Sequence, residues 1–204
     1  VTGVQTCSLP ILRLIELLAP LGVALALTTN GVKLPEMAHD LRAAGLQRVN
    51  VSLDSLRPER FLALTRRDEL DRTLAGIDAA LDAGLAPVKV NAVVIRGVND
   101  DEILDLCEFG RDRGVGVRFI EFMPLDADEA WDRSQVVAAR EILETVHAAF
   151  PLVGFPRVAE RGHDPAECFA YADGQGDVGV IASVTEPFCG NCDRVRITAE
   201  GKFR

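Results

Sequence analysis

Basic residues are in short supply: 22 lysines and arginines stand against 31 aspartates and glutamates, a formal charge of -9. That balance excludes a general nucleic-acid surface or an anionic-membrane surface, so an anion must be met by a local basic pocket in an acidic molecule. A small, discrete anion is favoured. Long apolar runs are missing as well; none reaches the roughly 20 residues that cross a bilayer, which leaves the cytoplasm as the expected location. Cysteine is scarce and odd in number, five in 204 residues, so an even disulfide framework is ruled out and a reducing compartment is expected. What is present, 48% hydrophobic and 26% charged residues, suffices to bury a sizeable core as one domain or one and a half.

The first eleven residues, Val1 to Ile11, carry no period, no cap and no partner, and their letters resemble a translated sequencing adapter. They are expected to be an assembly scar rather than part of the fold, and Cys7 goes with them. From Leu12 onward, helical and strand patterns alternate. Apolar residues up to Leu18 suit a helix ending at Pro20; Val23 to Leu27 reads as a strand, and Pro35 to Ala44 as a helix stopped by Gly45. Val49 to Asp54 and Val88 to Ile95 read as strands around a helical stretch broken near Arg66 and ended by Gly84. Glu102 to Arg113 is helical and Val115 to Met123 is strand again. Strands separated by helices predict an α/β chain with a parallel sheet and right-handed crossovers, either a barrel or an open doubly wound sheet.

Alternation within the strands points further. Val49, Val51 and Leu53 share one side of their strand, with Asn50, Ser52 and Asp54 on the other. Val88, Val90 and Ala92 set Lys89 and Asn91 opposite them, Val117 and Phe119 do the same for Arg118, and Thr28 with Ala24 and Ala26 opposes Leu25 and Leu27. Four strands thus offer small or polar residues to a common side. An ordinary βα barrel fills that side with bulky aliphatics, so a polar one implies a ligand. Lys89, a cation inside an apolar run, must be paired or hold an anion.

Near the end, Cys189 and Cys192 sit three positions apart across Gly190 and Asn191, a turn from which both thiols can reach one metal. The spacing alone is open between half a zinc site, a redox dithiol and a pair of iron-sulfur ligands. Arg194 and Arg196 follow on one face of an expected strand, Arg194 to Thr198, and their guanidinium forks suit a polyphosphate. A domain boundary is expected near residue 124. Beyond it, an acidic loop leads to a helix opened by Ser134 or Gln135 and reaching Phe150, then to short strands forming a small appended layer. Cys107 and Cys168 read as small core residues, and His39, His147 and His163 as surface residues.

The ordered set LTTNG at Leu27, VNVSLDSL at Val49, VKVNAVV at Val88, RFIEFMP at Arg118 and FCGNCDRVR at Phe188 resembles the MoaA family of radical S-adenosylmethionine GTP 3',8-cyclases of molybdenum cofactor biosynthesis. The resemblance runs from about Leu12 to Arg204. It implies a partial (βα)6-type incomplete TIM barrel over residues 12–123, its last four βα units, and a C-terminal extension over 124–204 with half of a second iron-sulfur site. It implies that Thr28, Lys89, Arg194, Val195 and Arg196 contact GTP; that Ser52 and Met123, with Asn91 and Arg118 as further lumen contacts, meet S-adenosylmethionine; and that Cys189 and Cys192 bind a [4Fe-4S] cluster. No residue is assigned a catalytic role. The implied chemistry is a 5'-deoxyadenosyl radical that takes hydrogen from the ribose C3', after which C3' attacks C8 of guanine. Two [4Fe-4S] clusters, S-adenosylmethionine, GTP and an electron donor are the implied cofactors and partners, and a homodimer is compatible with them.

The family's CxxxCxxC loop is expected upstream of Leu12, and the third cysteine of the second cluster about fourteen positions after Cys192, just past Arg204. On that reading, the 204 residues alone are expected neither to cleave S-adenosylmethionine nor to cyclise GTP. Two other readings fit the same residues: a different radical S-adenosylmethionine enzyme with an auxiliary cluster, and a zinc-stabilised binding module.

Overall fold

A computed structural model describes residues 11–124, 131–155, 165–187, 195–198 and 201–202. The chain order is α1 (Ile11–Leu18), β1 (Ala26–Thr29), α2 (Leu34–Ala43), β2 (Arg48–Ser52), α3 (Pro58–Thr65), α4 (Leu70–Asp82), β3 (Val88–Val94), α5 (Ile103–Arg113), β4 (Gly116–Glu121), α6 (Ala139–Ala149), β5 (Glu167–Ala170) and β6 (Asp177–Ile181). One sheet joins all six strands in the order β1-β2-β3-β4-β6-β5. Five strands are parallel, and β5 runs antiparallel to β6 at the edge.

This strand order decides where the helices go. Each crossover between neighbouring parallel strands turns with the same hand, so a sheet whose strands follow in sequence receives every connecting helix on one face. The strand sequences comply. In β3, Val88, Val90, Ala92 and Val94 are at most 3% exposed, while Lys89, Asn91 and Val93 between them are half-buried. Val49 and Val51 of β2, Val117 and Phe119 of β4, and Val178 and Val180 of β6 join the same core, against Leu41, Ile77, Leu106 and Ile142 from the helices. β-branched side chains at every second position suit a pleated surface packed on one side.

Two glycines make the packing feasible. Gly114 ends α5 in the left-handed region at φ 66°, where its N–H returns to Arg111 and Gly110 and the chain can turn straight into β4. Gly76 lets α4 ride against the turn after β1: a Cβ there would lie 2.2 Å from the carbonyl oxygen of Gly31.

Three expectations need correction. The first strand is Ala26–Thr29, not Val23 to Leu27, because the chain turns at Gly22 and the β2 ladder pairs as far as Thr29 with Val51. The helix expected from Ser134 starts only at Ala139. Residues 133–135 form a 3-10 turn whose N-cap Asp132 accepts from the Ser134 N–H, and Val136 bridges to Ile95, which holds the chain extended. The strands past residue 124 do not form a layer of their own; β6 pairs with β4 and continues the main sheet, because its Val178 and Val180 complete the same apolar face. No described helix is long and apolar enough to cross a membrane.

Candidate functional site

The face that no described helix covers is a set of rows fixed by register. Thr28 lies beside Asn50, Asn50 beside Lys89, and Lys89 beside Gly116. One step toward the C-terminal ends, Ser52 lies beside Asn91, Asn91 beside Arg118, Arg118 beside Gly179, and Gly179 beside Cys168. The parallel strands all end on the same side, the edge at which open α/β sheets receive ligands.

In the first row the Asn50 amide donates to Thr28 Oγ1 over 3.3 Å. Lys89 is half-buried in the middle, and among the described residues it takes part in none of the ion pairs. A cation that has surrendered part of its hydration without gaining a carboxylate is suited to an incoming anion.

In the second row Ser52 is exposed and Asn91 half-buried. Arg118 is 5% exposed and lies flat over two glycines: a Cβ at Gly179 would stand 2.8 Å from its Cδ, and one at Gly116 would stand 3.2 Å from a terminal nitrogen. One end of the guanidinium donates to the Val117 carbonyl at 2.9 Å and the other to the Asp177 carboxylate, leaving Nε buried with no partner. Met123, two residues past β4, is half-buried, and the preceding Phe122 carbonyl accepts from the Trp131 indole at 3.0 Å.

A buried polar cluster braces the strand ends. Asp54 accepts from the Val93 N–H at 2.8 Å, and burial raises its carboxyl above the ordinary value despite that bond. Asn99 donates to the carbonyls of Asp54 and Val93. Glu102, fully buried, accepts from the Ser55 hydroxyl at 2.8 Å and the Leu56 N–H at 2.8 Å, and pairs with Arg60. At the end of β4, Glu121 is 1% exposed and binds donors from α6 and from the turn after β6.

The structure therefore gathers Thr28, Ser52, Lys89, Asn91 and Arg118 on one face, as the strand alternation required. Val195 and Arg196 are exposed, as is Ile197 at 65%, and the expected strand Arg194 to Thr198 is not one of the six strands found among the described residues. Cys189, Cys192 and Arg194, like His163, lie outside the described residues. No group of three or more potential metal-ligating side chains occurs among the described residues. Cys168 is exposed rather than a core residue, because Phe169 takes the buried side of β5 and Cys168 falls on the open face. Cys107 is a core residue, and burial pushes its thiol up to about 11. His147 is not a surface residue but half-buried, accepting from the Leu152 N–H at 3.0 Å and packing on Phe155.

A family model for the radical SAM superfamily matches residues 1–110. The chain belongs to the radical SAM superfamily. A second model, for molybdenum cofactor synthesis C, matches residues 115–204 of this radical SAM chain, and the two matches meet just ahead of β4. Similar proteins include the GTP 3',8-cyclases of Paenarthrobacter nicotinovorans, 50% identical over 190 residues covering 88% of this chain and 53% of the relative, and of Streptomyces coelicolor, 51% identical over 180 residues covering 88% and 52%. That of Geobacter sulfurreducens is 49% identical over 177 residues, covering 87% and 53%. The chain spans about half the length of the curated relatives it matches.

Asp54, Glu102, Glu121 and Asp177 are site-bracing residues absent from the sequence-derived set. Glu121 could have been found by the argument that singled out Lys89, since it is a charge inside the apolar run RFIEF. Asp177 carries no local signal, because its partner Arg118 is 59 residues away.

Proposed function

We propose that this radical SAM chain forms the substrate-binding part of a GTP 3',8-cyclase acting in molybdenum cofactor biosynthesis, in the cytoplasm and with an external electron donor. The half-buried Lys89, with no ion-pair partner among the described residues, carries this reading. It sits in the row with Thr28 and Asn50, where an anionic, hydroxyl-rich ligand finds one charge and several neutral donors. The identity of about half to GTP 3',8-cyclases across most of the chain supports GTP as that ligand. On this reading residues 12–123 are part of an incomplete βα barrel, and residues 124–204 are its C-terminal extension.

The chain's own residues bind and orient. Lys89 and Thr28, with Arg194, Val195 and Arg196, hold GTP; Ser52 and Met123 at the strand ends, with Asn91 and Arg118, face S-adenosylmethionine. Cys189 and Cys192 supply thiolates, which suit a [4Fe-4S] cluster. When bound, the clusters and S-adenosylmethionine supply the one-electron chemistry that removes a hydrogen atom from the substrate. The sheet's task is to hold the ribose in one pose and keep water and competing hydrogen donors away, which for so reactive a chemistry decides the product.

The test is anaerobic turnover and GTP binding by the complete open reading frame containing this chain. Formation of (8S)-3',8-cyclo-7,8-dihydroguanosine 5'-triphosphate is expected, and Arg196→Ala is expected to weaken GTP binding tenfold or more, since a charge-assisted contact contributes about 1.5–3 kcal/mol. Unchanged GTP affinity in that variant would remove Arg196 from the site. Zinc in place of iron in the purified protein would favour a binding module instead.

A further inference from the structure

Arg118 has its Cα in the second row, between Asn91 and Gly179, but its charge lies elsewhere. A Cβ built on Gly116 would stand 3.2 Å and 3.4 Å from its two terminal nitrogens, so the guanidinium is folded back over Gly116, one row toward the N-terminal ends of the strands. Gly116 is the register partner of Lys89, and neighbouring strands lie about 4.8 Å apart. The Arg118 charge is therefore brought into the row of Thr28, Asn50 and Lys89.

This pose is costly. Nε is buried with no partner, which forfeits a hydrogen bond that a side chain reaching into water would keep. The pose also needs the room that Gly116 and Gly179 leave, since a Cβ on Gly179 would stand 2.8 Å from the Arg118 Cδ. Asp177 offsets the cost. Its neighbour Val178 pairs with Val117, so Asp177 stands on β6 beside Gly116, and its Oδ1 would lie 2.9 Å from a Cβ there. Its carboxylate accepts from one terminal nitrogen of Arg118, and the Val117 carbonyl accepts from the other at 2.9 Å. The bond to the carboxylate is the stronger, because both partners are charged. Among the described residues these are the guanidinium's hydrogen bonds, and each terminal nitrogen carries a second N–H beyond the one it spends.

We propose that Asp177 is a positioning residue: it seats the Arg118 guanidinium over Gly116, where its remaining N–H groups and its charge join Lys89 in holding a polyphosphate. This rests on the reading of the Lys89 row as the GTP site, and it moves the Arg118 charge from the S-adenosylmethionine contacts to that row. By charge alone, a carboxylate here would weaken the hold on a phosphate. The seat it makes for the arginine outweighs that repulsion, because an Arg118 released from Asp177 swings off the sheet to hydrate its Nε and leaves the row.

The two effects of Asp177 have opposite signs and can be separated by titrating GTP calorimetrically into the complete reading frame and its variants, with urea unfolding of each in parallel. Asp177→Ala removes both charge and acceptor, and is expected to weaken GTP binding about fivefold or more. Asp177→Asn keeps an acceptor for the guanidinium and removes the charge, so it is expected to bind GTP at least as tightly as the wild type. Gly116→Ala displaces the guanidinium without altering any charge. It is expected to weaken GTP binding to a similar degree with unfolding stability little changed, because its Cβ meets the far ends of two flexible side chains. In an Arg118→Met background, neither Asp177→Ala nor Gly116→Ala is expected to weaken binding further.

Tighter GTP binding by Asp177→Ala would mark a competing carboxylate, unchanged binding a bystander, and a loss that persists in the Arg118→Met background a role independent of the arginine; each overturns the proposal. Should Asp177→Ala not fold, Gly116→Ala decides, and wild-type affinity in that variant overturns it. If Lys89→Met weakens GTP binding while Asp177→Ala does not, the reading of the row stands and this proposal alone falls. If the wild type binds no GTP, or Lys89→Met leaves its affinity unchanged, the reading of the row fails and the proposal with it.

Discussion

The two faces of the sheet are made from the same strands and differ in chemistry. On the covered face Val49, Val51, Val90, Ala92, Phe119 and Val178 are 0% exposed, and helices α2, α4, α5 and α6 lie over them. On the other face Thr28 and Ser52 are exposed, Asn50, Lys89 and Asn91 are half-buried, and Arg118 is buried with its guanidinium held by the Val117 carbonyl and Asp177. The covered face answers to packing alone. The open face keeps a lysine without an ion-pair partner among the described residues and an arginine with an orphaned Nε, features that cost stability and that packing does not require. Apolar packing and polar side chains are thus divided between alternate residues of the same strands.

Substitutions on the two faces should behave differently, and the largest effect belongs to the covered one. Phe119→Ala should lower unfolding free energy by about 3–5 kcal/mol, read from urea denaturation, because a fully buried ring leaves a cavity the strands cannot collapse into. A loss below 1 kcal/mol would mean that the face is not a packed core. Next comes Gly76→Ala. Its Cβ would stand 2.2 Å from a backbone oxygen of Gly31, so α4 must move off the sheet at a cost of about 1–3 kcal/mol. If the variant is as stable as the wild type, α4 does not approach the β1 turn this closely.

The smallest effect is expected at the strand ends and depends on pH. Burial raises the Asp54 carboxyl above its ordinary 3.8, so the folded chain holds that proton more tightly than the unfolded one. Its contribution is most favourable below 3.8 and is lost as pH rises through the raised value. Asp54→Asn keeps an acceptor for the Val93 N–H and carries no charge. It should therefore be slightly more stable than the wild type at pH 7, with the advantage vanishing as pH falls toward 3.8. A constant difference across that range would show that the fold does not raise the Asp54 carboxyl.

Much of this division was legible in the sequence. Strict alternation in VKVNAVV and RVNVS sorts the faces without any knowledge of partners, because side chains alternate in every strand. Element ends were less legible. Thr28 and Thr29 join β1 only because β2 offers a pairing edge, and Ser134 stays out of α6 because Val136 bridges to Ile95, a residue 41 positions earlier. The same holds for the bracing residues. Arg118 reads from sequence as a lumen contact, and its guanidinium is committed to Asp177, though nothing local to either residue announces the other. The place of β6 beside β4 is likewise a long-range choice, made by Val178 and Val180 completing a core begun far upstream.

If the open face binds an anion through Lys89, Lys89→Met is the substitution that should abolish that binding. Methionine keeps a long unbranched side chain against the sheet and removes only the charge. Calorimetric titration of GTP into the complete reading frame and its variant, beside urea unfolding of both, gives the two numbers needed. GTP affinity is expected to weaken tenfold or more, with unfolding stability unchanged or slightly raised. Equal GTP affinity in the two proteins would contradict it, and so would a loss of affinity accompanied by an equal loss of stability.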